Sequence, residues 1–243
     1  MTHVDPSDLP RVDFPDAAFP DDQDPVSVAR RTLVTERNGM EALIRALEDG
    51  SGLAAAFSSA VALISTLSGR VAVTGIGKSG HIGRKIQATL SSTGTPALFI
   101  HPAEASHGDL GMATWGDALL ALSNSGETAE LADTIAYSRR FGLPLISMTA
   151  RAGSTLARAS DIVLLLPSMP EACPMGLAPT TSSLLQLAMG DALAVALLER
   201  RGFTAGGVGA VHPGGSLRAR VRSVKEPLRS GEAPVSFSPP PLP

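Results

Sequence analysis

The fold of this chain is decided by the stretch Val71-Ala72-Val73-Thr74-Gly75-Ile76-Gly77-Lys78-Ser79-Gly80, in which a short apolar run passes through glycines into a helical pattern. The same arrangement returns in Ala118-Leu119-Leu120-Ala121-Leu122-Ser123-Asn124-Ser125-Gly126-Glu127-Thr128. A strand that turns into a helix through small residues exposes backbone N–H groups at the positive end of the helix dipole, where a phosphate binds. Two such turns predict a ligand with one phosphate and a polar body.

Around these two stretches the chain alternates strands with helices. Helices are predicted at residues 25–47, 53–67, 79–92, 127–141 and 179–201, and strands at 71–75, 96–100, 118–123, 143–148 and 161–166. Continuous Val/Ile/Leu strands between helices predict an α/β fold, a three-layer αβα sandwich with a mainly parallel five-stranded sheet. Ligands of such sheets bind beyond the carboxyl ends of the strands, where the strand order reverses.

Composition and charge exclude several classes of function. The net charge of −3, without a basic stripe interleaved with aromatics, gives no reason to expect a nucleic acid. Cys173 is the only cysteine, which excludes an intrachain disulfide or a Cys-based zinc cluster and favours a reducing cytosol. Neither a signal peptide nor an uninterrupted apolar run of about 18 residues is present, so we expect a cytoplasmic protein that does not enter the membrane.

The two ends of the chain predict segments outside the folded domain. Residues 1–24 are rich in Asp and Pro, and we interpret them as a disordered acidic arm. The folded domain is expected at residues 25–222. Residues 223–243 form a Pro-rich tail whose last residues cannot be a helix or an interior strand.

Two nucleotide-binding interpretations of the first turn fail. Gly75-x-Gly77-x-x-Gly80 matches the dinucleotide pattern, but that pattern also needs an acid about 20 residues on to hold a ribose. That place carries Ile100-His101-Pro102. A P-loop needs a glycine six residues before Lys78, and Ala72 stands there.

The second turn offers hydroxyls, an amide and backbone donors together. Ser123, Asn124, Ser125 and Thr128 could satisfy three phosphate oxygens without an arginine, although a serine-rich helix cap is the simpler alternative. Because the lysine turn supplies a second wall, with Gly77 and Ser79, we favour phosphate binding over the simple helix cap.

Three further polar segments follow predicted strands or form a rigid turn. They carry His107, Glu171 and His212, while Glu130 lies near the start of a predicted helix. Two histidines and a carboxylate are zinc-ligand types, but no close spacing such as H-E-x-x-H is present, so no metal is predicted.

Over residues 30–220 the chain resembles the sugar isomerase (SIS) domain and, more narrowly, arabinose-5-phosphate isomerases. The second of these resemblances is the more specific, because general SIS proteins share only the two phosphate-type turns. The motifs that carry it are Val73–Lys85, His101–Gly111, Ser123–Glu127, Glu171–Thr180, Met189–Ala194 and His212–Gly215.

The resemblance implies a flavodoxin-like sheet and the interconversion of D-ribulose 5-phosphate and D-arabinose 5-phosphate through an enediol, for synthesis of the lipopolysaccharide sugar Kdo. The implied catalytic residues are Lys78, Glu130, Glu171 and His212, with His107 also in the site. The resemblance also implies a homotetramer with sites at subunit contacts, and no cofactor.

The sequence departs from the family pattern in one respect, and two alternative functions remain. Family members typically continue into a pair of CBS modules, and here the Pro-rich tail stands where that pair would begin. The rivals are another SIS sugar-phosphate isomerase and a sugar-phosphate sensor without turnover. The segments His101–Gly111 and Glu171–Thr180 argue against the first, and an acidic arm in place of a DNA-binding domain argues against the second.

Overall fold

The computed structural model of the protein describes residues 24–48, 52–204 and 207. The predicted acidic arm, except for Asp24, and the predicted tail lie outside these residues, as does His212. The helices are α1 (Pro25–Glu48), α2 (Leu53–Ser65), α3 (Gly77–Ser92), α4 (Pro102–Ala105), α5 (Ala132–Phe141), α6 (Thr155–Ala159) and α7 (Thr181–Arg200). The strands are β1 (Val71–Thr74), β2 (Ala97–Ile100), β3 (Ala118–Leu122), β4 (Leu145–Thr149) and β5 (Ile162–Leu165).

The five strands form one parallel sheet in the order β2-β1-β3-β4-β5. The register places Thr74 opposite Ile100 on one side and Ala121 on the other, so the ends of β1, β2 and β3 are level. The strand order reverses at β1, because the chain moves outward to β2 and then returns to β3 on its other side. The predicted α/β class with a parallel five-stranded sheet is confirmed.

Alternation along the buried strands divides the interior into two layers. Val73, Leu120 and Met148 point into a core that is completed by α1, α2, α3 and α7. Their neighbours Leu119 and Leu145 point to the opposite face, which is covered by α4, α5 and α6. The three-layer sandwich follows from strands that are apolar on both faces.

Two helix starts follow directly from the sequence. Asp24 caps α1, since its Oδ2 accepts a hydrogen bond from the Ser27 N–H at 3.0 Å, and Pro25 fits the first helical position. Ser154 caps α6 in the same way, by accepting from the Ala157 N–H at 3.2 Å. The first start was predicted and the second was not, because five helical residues are too few to show a period.

Helices α3 and α7 run side by side from the carboxyl edge of the sheet. A Cβ on Gly190 of α7 would overlap the side chain of Ile86 of α3, so the two helices touch at this glycine. Beside this contact, Lys85 of α3 and Asp191 of α7 form an ion pair. The side-by-side packing places the N-termini of both helices at one edge of the sheet.

Helix α7 is long and apolar enough to span a membrane by length and composition alone. Half of that window is buried inside the molecule, where Leu185, Met189 and Leu193 belong to the core shared with α3. A buried core helix passes the same test, and the packing of α7 accounts for its apolar composition.

The opposite, amino edge of the sheet carries an exposed aromatic. Trp115, the only tryptophan of the chain, is 90% exposed in the turn that precedes β3. Asp117 closes this turn by accepting hydrogen bonds from the N–H groups of Arg70 and Thr114, the latter at 2.8 Å. The buried carboxylate therefore anchors the turn while the indole stays in water.

Candidate active site

The two predicted phosphate turns meet at the reversal point of the sheet. β1 and β3 are neighbours, and the chain leaves each of them at the same level. Gly75, the first residue after β1, lies close to the end of β3. A Cβ on Gly75 would be 3.2 Å from the Leu122 carbonyl oxygen. The two turns are therefore adjacent walls of one crevice, as expected for a ligand site at a reversal point.

The first turn is built from glycines and leads straight into α3. Gly77 begins the helix with φ of +56°, a left-handed conformation that glycine adopts without strain. A Cβ on Gly80 would lie 2.6 Å from the Gly75 carbonyl oxygen, so no side chain fits in this bend. Lys78 is exposed and Ser79 half-buried in the first helical turn, where the leading N–H groups lack intrahelical acceptors.

The second turn is closed by its own hydroxyl groups. Ser123 Oγ lies 2.7 Å from Thr128 Oγ1 and accepts a hydrogen bond from the Gly126 N–H at 3.0 Å. Ser125 Oγ accepts from the Glu127 N–H at 3.2 Å. Ser123 is only 3% exposed, whereas Asn124 is exposed and Ser125 and Thr128 are half-buried. Ser123 thus shapes the turn from behind, and the other three side chains lie nearer the crevice.

Gly126 allows this turn to lie against the segment that follows β4. Its φ is +66°, and a Cβ there would overlap Ser154 Oγ. The Asn124 carbonyl oxygen also accepts hydrogen bonds from the Ala150 N–H at 3.0 Å and from Thr149 Oγ1 at 3.2 Å. The predicted helix at 127–141 accordingly begins late, with a 3-10 turn at Ala129–Leu131 before α5.

The segment after β2 brings His107 to the same edge as Glu130. Helix α4 packs against the 3-10 turn that carries Glu130 and against α5. His107 follows α4, and its N–H donates to the Glu104 carbonyl oxygen at 2.9 Å. His107 and Glu130 are both exposed. His101 has a local role, since its Nδ1 accepts from the Ala103 N–H at 3.2 Å and caps α4.

Glu171 caps α7 across a loop of eight residues. Its Oε2 accepts hydrogen bonds from the Thr180 N–H at 2.8 Å, the Thr180 hydroxyl at 3.1 Å and the Ser182 N–H at 3.2 Å. Partial burial raises the pKa of Glu171, but hydrogen bonds from Ser182 and Thr180 outweigh it, so the pKa lies below its ordinary value. The sequence placed Glu171 after a strand and, by resemblance, among the catalytic residues, but it did not predict a helix cap.

The cap of α7 and the lysine turn stand at the tops of neighbouring helices. The contact between Ile86 and Gly190 lies nine residues after the first residue of α3 and nine after that of α7. Stretches of about 13 Å therefore lead from the contact back to the first turn of each helix, which carries Lys78 in α3 and is capped by Glu171 in α7. Glu171, which follows β5, thus lies at the same edge of the sheet as the two turns.

The predicted site residues that the structure describes all follow the carboxyl ends of strands. Gly77, Lys78 and Ser79 follow β1, His107 follows β2, residues 123–130 follow β3 and Glu171 follows β5. His212 lies outside the described residues. Within residues 24–48, 52–204 and 207, no three His, Cys, Asp or Glu side chains group as a metal site.

The SIS domain family matches residues 66–196, which contain both turns and the whole sheet. The arabinose 5-phosphate isomerase KdsD of Pseudomonas aeruginosa is 49% identical over 205 residues, covering 84% of this chain and 61% of that protein. KdsD of Escherichia coli K12 is 53% identical over 165 residues, covering 68% of this chain and 50% of that protein. The chain thus spans only about half to three fifths of these two relatives.

A solved structure, that of E. coli CFT073 c3406 in complex with arabinose 5-phosphate, aligns with a TM-score of 0.74 and 39% identity. The alignment covers 80% of this chain and 100% of that one. A sugar-phosphate isomerase fold from Listeria monocytogenes aligns with the same TM-score at 28% identity. The match to the family over more than half of the chain, together with the full coverage of the c3406 structure, shows that this protein is a member of the SIS domain family.

Proposed function

We propose that the protein is an aldose–ketose isomerase that interconverts D-ribulose 5-phosphate and D-arabinose 5-phosphate through an enediol. The observation that carries this proposal is the meeting of two anion-binding turns, one with a lysine, at the reversal point of the sheet. It is supported by the two KdsD relatives and by the c3406 structure with its bound sugar phosphate.

The phosphate would be held by the second turn. Ser125 and Thr128 offer hydroxyl groups, Asn124 an amide, and the N–H groups before α5 lack intrahelical acceptors. Ser123 would support them from behind through its bond to Thr128. Gly77, Lys78 and Ser79 would form the other wall, with His107 beside the sugar.

The reaction moves a hydrogen between two carbons without a net change of oxidation state. From the aldose, a base removes the C2 proton and the carbonyl oxygen at C1 gains one, which gives the enediol. A proton then returns to C1 as the hydroxyl proton at C2 leaves. Lys78 would stabilise the negative charge that develops on the oxygens.

Two carboxylates are candidates for the base. Glu130 is exposed beside α4, and Glu171 is half-buried at the start of α7. The lowered pKa of Glu171 makes it a weaker base than an ordinary glutamate, while its burial protects it from water. His212 would open the sugar ring or carry protons between the oxygens. No cofactor is needed, because proton transfer by these groups suffices.

Substitutions of Glu171 distinguish its role as the cap of α7 from a role as the catalytic base. We expect Glu171→Ala to lower the free energy of unfolding by about 1 kcal/mol, a typical cost for losing a helix cap. Because the folded pKa is lowered, the carboxylate stabilises fully above its ordinary pKa of 4.5, and this contribution fades as pH falls through the folded pKa. Glu171→Gln keeps an acceptor oxygen, so its stability should depend less on pH in that acidic window.

Urea titrations between pH 3 and 7 would measure both effects. The turnover of Glu171→Gln then assigns the base. A loss of turnover of about 10²–10⁴-fold would identify Glu171 as the base, whereas near-native turnover would leave Glu130 as the candidate. Equal stability of Glu171→Ala and the wild type above pH 5 would contradict the cap.

We further propose a cytoplasmic homotetramer whose sites lie at subunit contacts and whose product serves Kdo and lipopolysaccharide synthesis. The assembly is supported by α1, which leaves large apolar side chains in water on the isolated chain. Leu33 is 64% exposed and Ile44 52% exposed, although both belong to an otherwise regular amphipathic helix.

The experiment that tests the proposed function is an assay of the purified protein on D-arabinose 5-phosphate that follows ketose formation. Other aldose phosphates serve as a panel, and exhaustive chelation followed by added zinc serves as a metal arm. Turnover that chelation leaves intact supports the proposal. A thermal shift with the sugar phosphate but without turnover would favour a sensor. Turnover confined to another substrate would favour a different isomerase.

A further inference from the structure

Glu127 lies within the phosphate turn, but its side chain leaves that turn. Its Oε1 accepts a hydrogen bond from the Thr155 N–H at 2.8 Å. Thr155 is the first residue of α6, which follows the neighbouring strand β4. The carboxylate therefore joins the turn after β3 to the helix after β4.

Backbone hydrogen bonds at the same junction hold residues 124–126 of the turn but not the tip of the turn at residue 127. The Gly126 carbonyl oxygen accepts from the Leu156 N–H at 3.0 Å, and the Asn124 carbonyl oxygen accepts from the Ala150 N–H at 3.0 Å. Both contacts precede Glu127 in the chain. Beyond them the Glu127 side chain ties the tip of the turn to α6, just before Thr128 returns toward Ser123.

The direction of this side chain also matters for charge. A carboxylate turned toward the crevice would repel a phosphate dianion. Hydrogen bonding by Thr155 lowers the pKa of Glu127, and the positive charges of Arg158 and Arg151 lower it further. The ionised carboxylate is thus bonded to the first N–H of α6, in the positive field of two guanidinium groups.

We propose that Glu127 is a positioning residue, which sets the phosphate affinity of the turn at 123–128 by tying it to the first N–H of α6. The inference rests on the proposed function for its substrate. Glu127 acts through Ser125 and Thr128, which lie close to it on either side in the turn, and its own carboxylate does not contact the sugar phosphate.

Thr155→Pro removes the donor of this hydrogen bond without touching the turn. Proline is tolerated at the first position of a helix, which Thr155 occupies. The preceding Ser154 has φ of −74° and ψ of 161°, the extended conformation that a residue before proline requires. Thr155→Pro, Glu127→Ala and their double variant form a thermodynamic cycle, and Glu127→Gln keeps an acceptor oxygen as the conservative control.

We expect Glu127→Ala and Thr155→Pro each to raise KM for D-arabinose 5-phosphate about tenfold, the size typical of a hydrogen bond to a charged group. The kcat should change less than about threefold, because the phosphate lies away from the reacting carbons. Glu127→Gln should stay within about twofold of wild-type KM, and the double variant should be no worse than either single one.

Calorimetric titration with inorganic phosphate measures the same affinities without turnover. Absent turnover with intact phosphate binding would defeat the proposed function alone, and the four variants would still be ranked by phosphate dissociation constant. The inference is overturned if Glu127→Gln is as weak as Glu127→Ala, which would indicate a role for the charge itself. It is also overturned if Thr155→Pro, folded by circular dichroism, binds like the wild type.

Discussion

Lys78→Ala is expected to lower kcat/KM for D-arabinose 5-phosphate by about 10²–10³-fold, the cost of removing one group that stabilises a developing oxyanion. Lys78 is exposed in the first turn of α3, beside the glycine bend that faces the serine turn. Its positive charge therefore adds to that of the α3 N-terminus, and both favour negative charge nearby. The loss should fall mainly on kcat, because the charge develops only as the enediolate forms.

Lys85→Ala is the matched control for this result. Lys85 lies two turns further along α3, is also exposed, and pairs with Asp191 away from the crevice. Its removal should leave kcat/KM within about twofold, since surface ion pairs contribute little. Steady-state assays and urea titrations of both variants separate catalysis from folding. A Lys78→Ala enzyme that keeps more than a tenth of wild-type kcat/KM would contradict the proposed role.

Gly126→Ala should lower the free energy of unfolding by about 2–5 kcal/mol and abolish phosphate binding. Part of the cost is conformational, because φ of +66° is unfavourable by about 1–2 kcal/mol for a residue with a Cβ. The rest is steric, since the new Cβ would overlap Ser154 Oγ and overpacking costs about 1–3 kcal/mol. The turn would have to leave α6 to relieve the contact.

Gly142→Ala isolates the conformational part. Gly142 has φ of +65°, nearly the same value, yet a Cβ there would meet no atom within 4 Å, and the residue closes α5 away from the crevice. Its variant should lose about 1 kcal/mol and keep phosphate binding. Ser154→Gly in the Gly126→Ala background should recover part of the loss. Equal destabilisation by Gly126→Ala and Gly142→Ala in urea titrations would show that the contact with Ser154 is unimportant.

Most of the fold could be predicted because its signals are local. The strand before Gly75 and the strand before Ser123 are continuous apolar runs, and the glycine and serine turns mark where each strand ends. The parallel sheet then follows from the alternation of strands with helices. Helix α6, by contrast, is too short to show a period, and its cap at Ser154 has the sequence context of an ordinary loop serine.

The roles of the site residues were harder to predict, because they depend on where side chains point. Ser123 looked like a phosphate ligand, yet its hydroxyl is buried and bonded to Thr128 and Gly126. Glu171 looked like a loop carboxylate, yet it caps a helix that begins ten residues later. Both outcomes come from contacts across a turn or a loop, which neither periodicity nor composition records.

The single tryptophan has a consequence for how this protein can be followed in solution. β3 is about 17 Å long, and Trp115 stands at the end opposite the crevice with its indole already in water. Its emission should therefore change little when a sugar phosphate binds or when the chain unfolds. A blue shift on raising the protein concentration would instead report that another chain has covered this edge, which makes intrinsic fluorescence a selective probe of association.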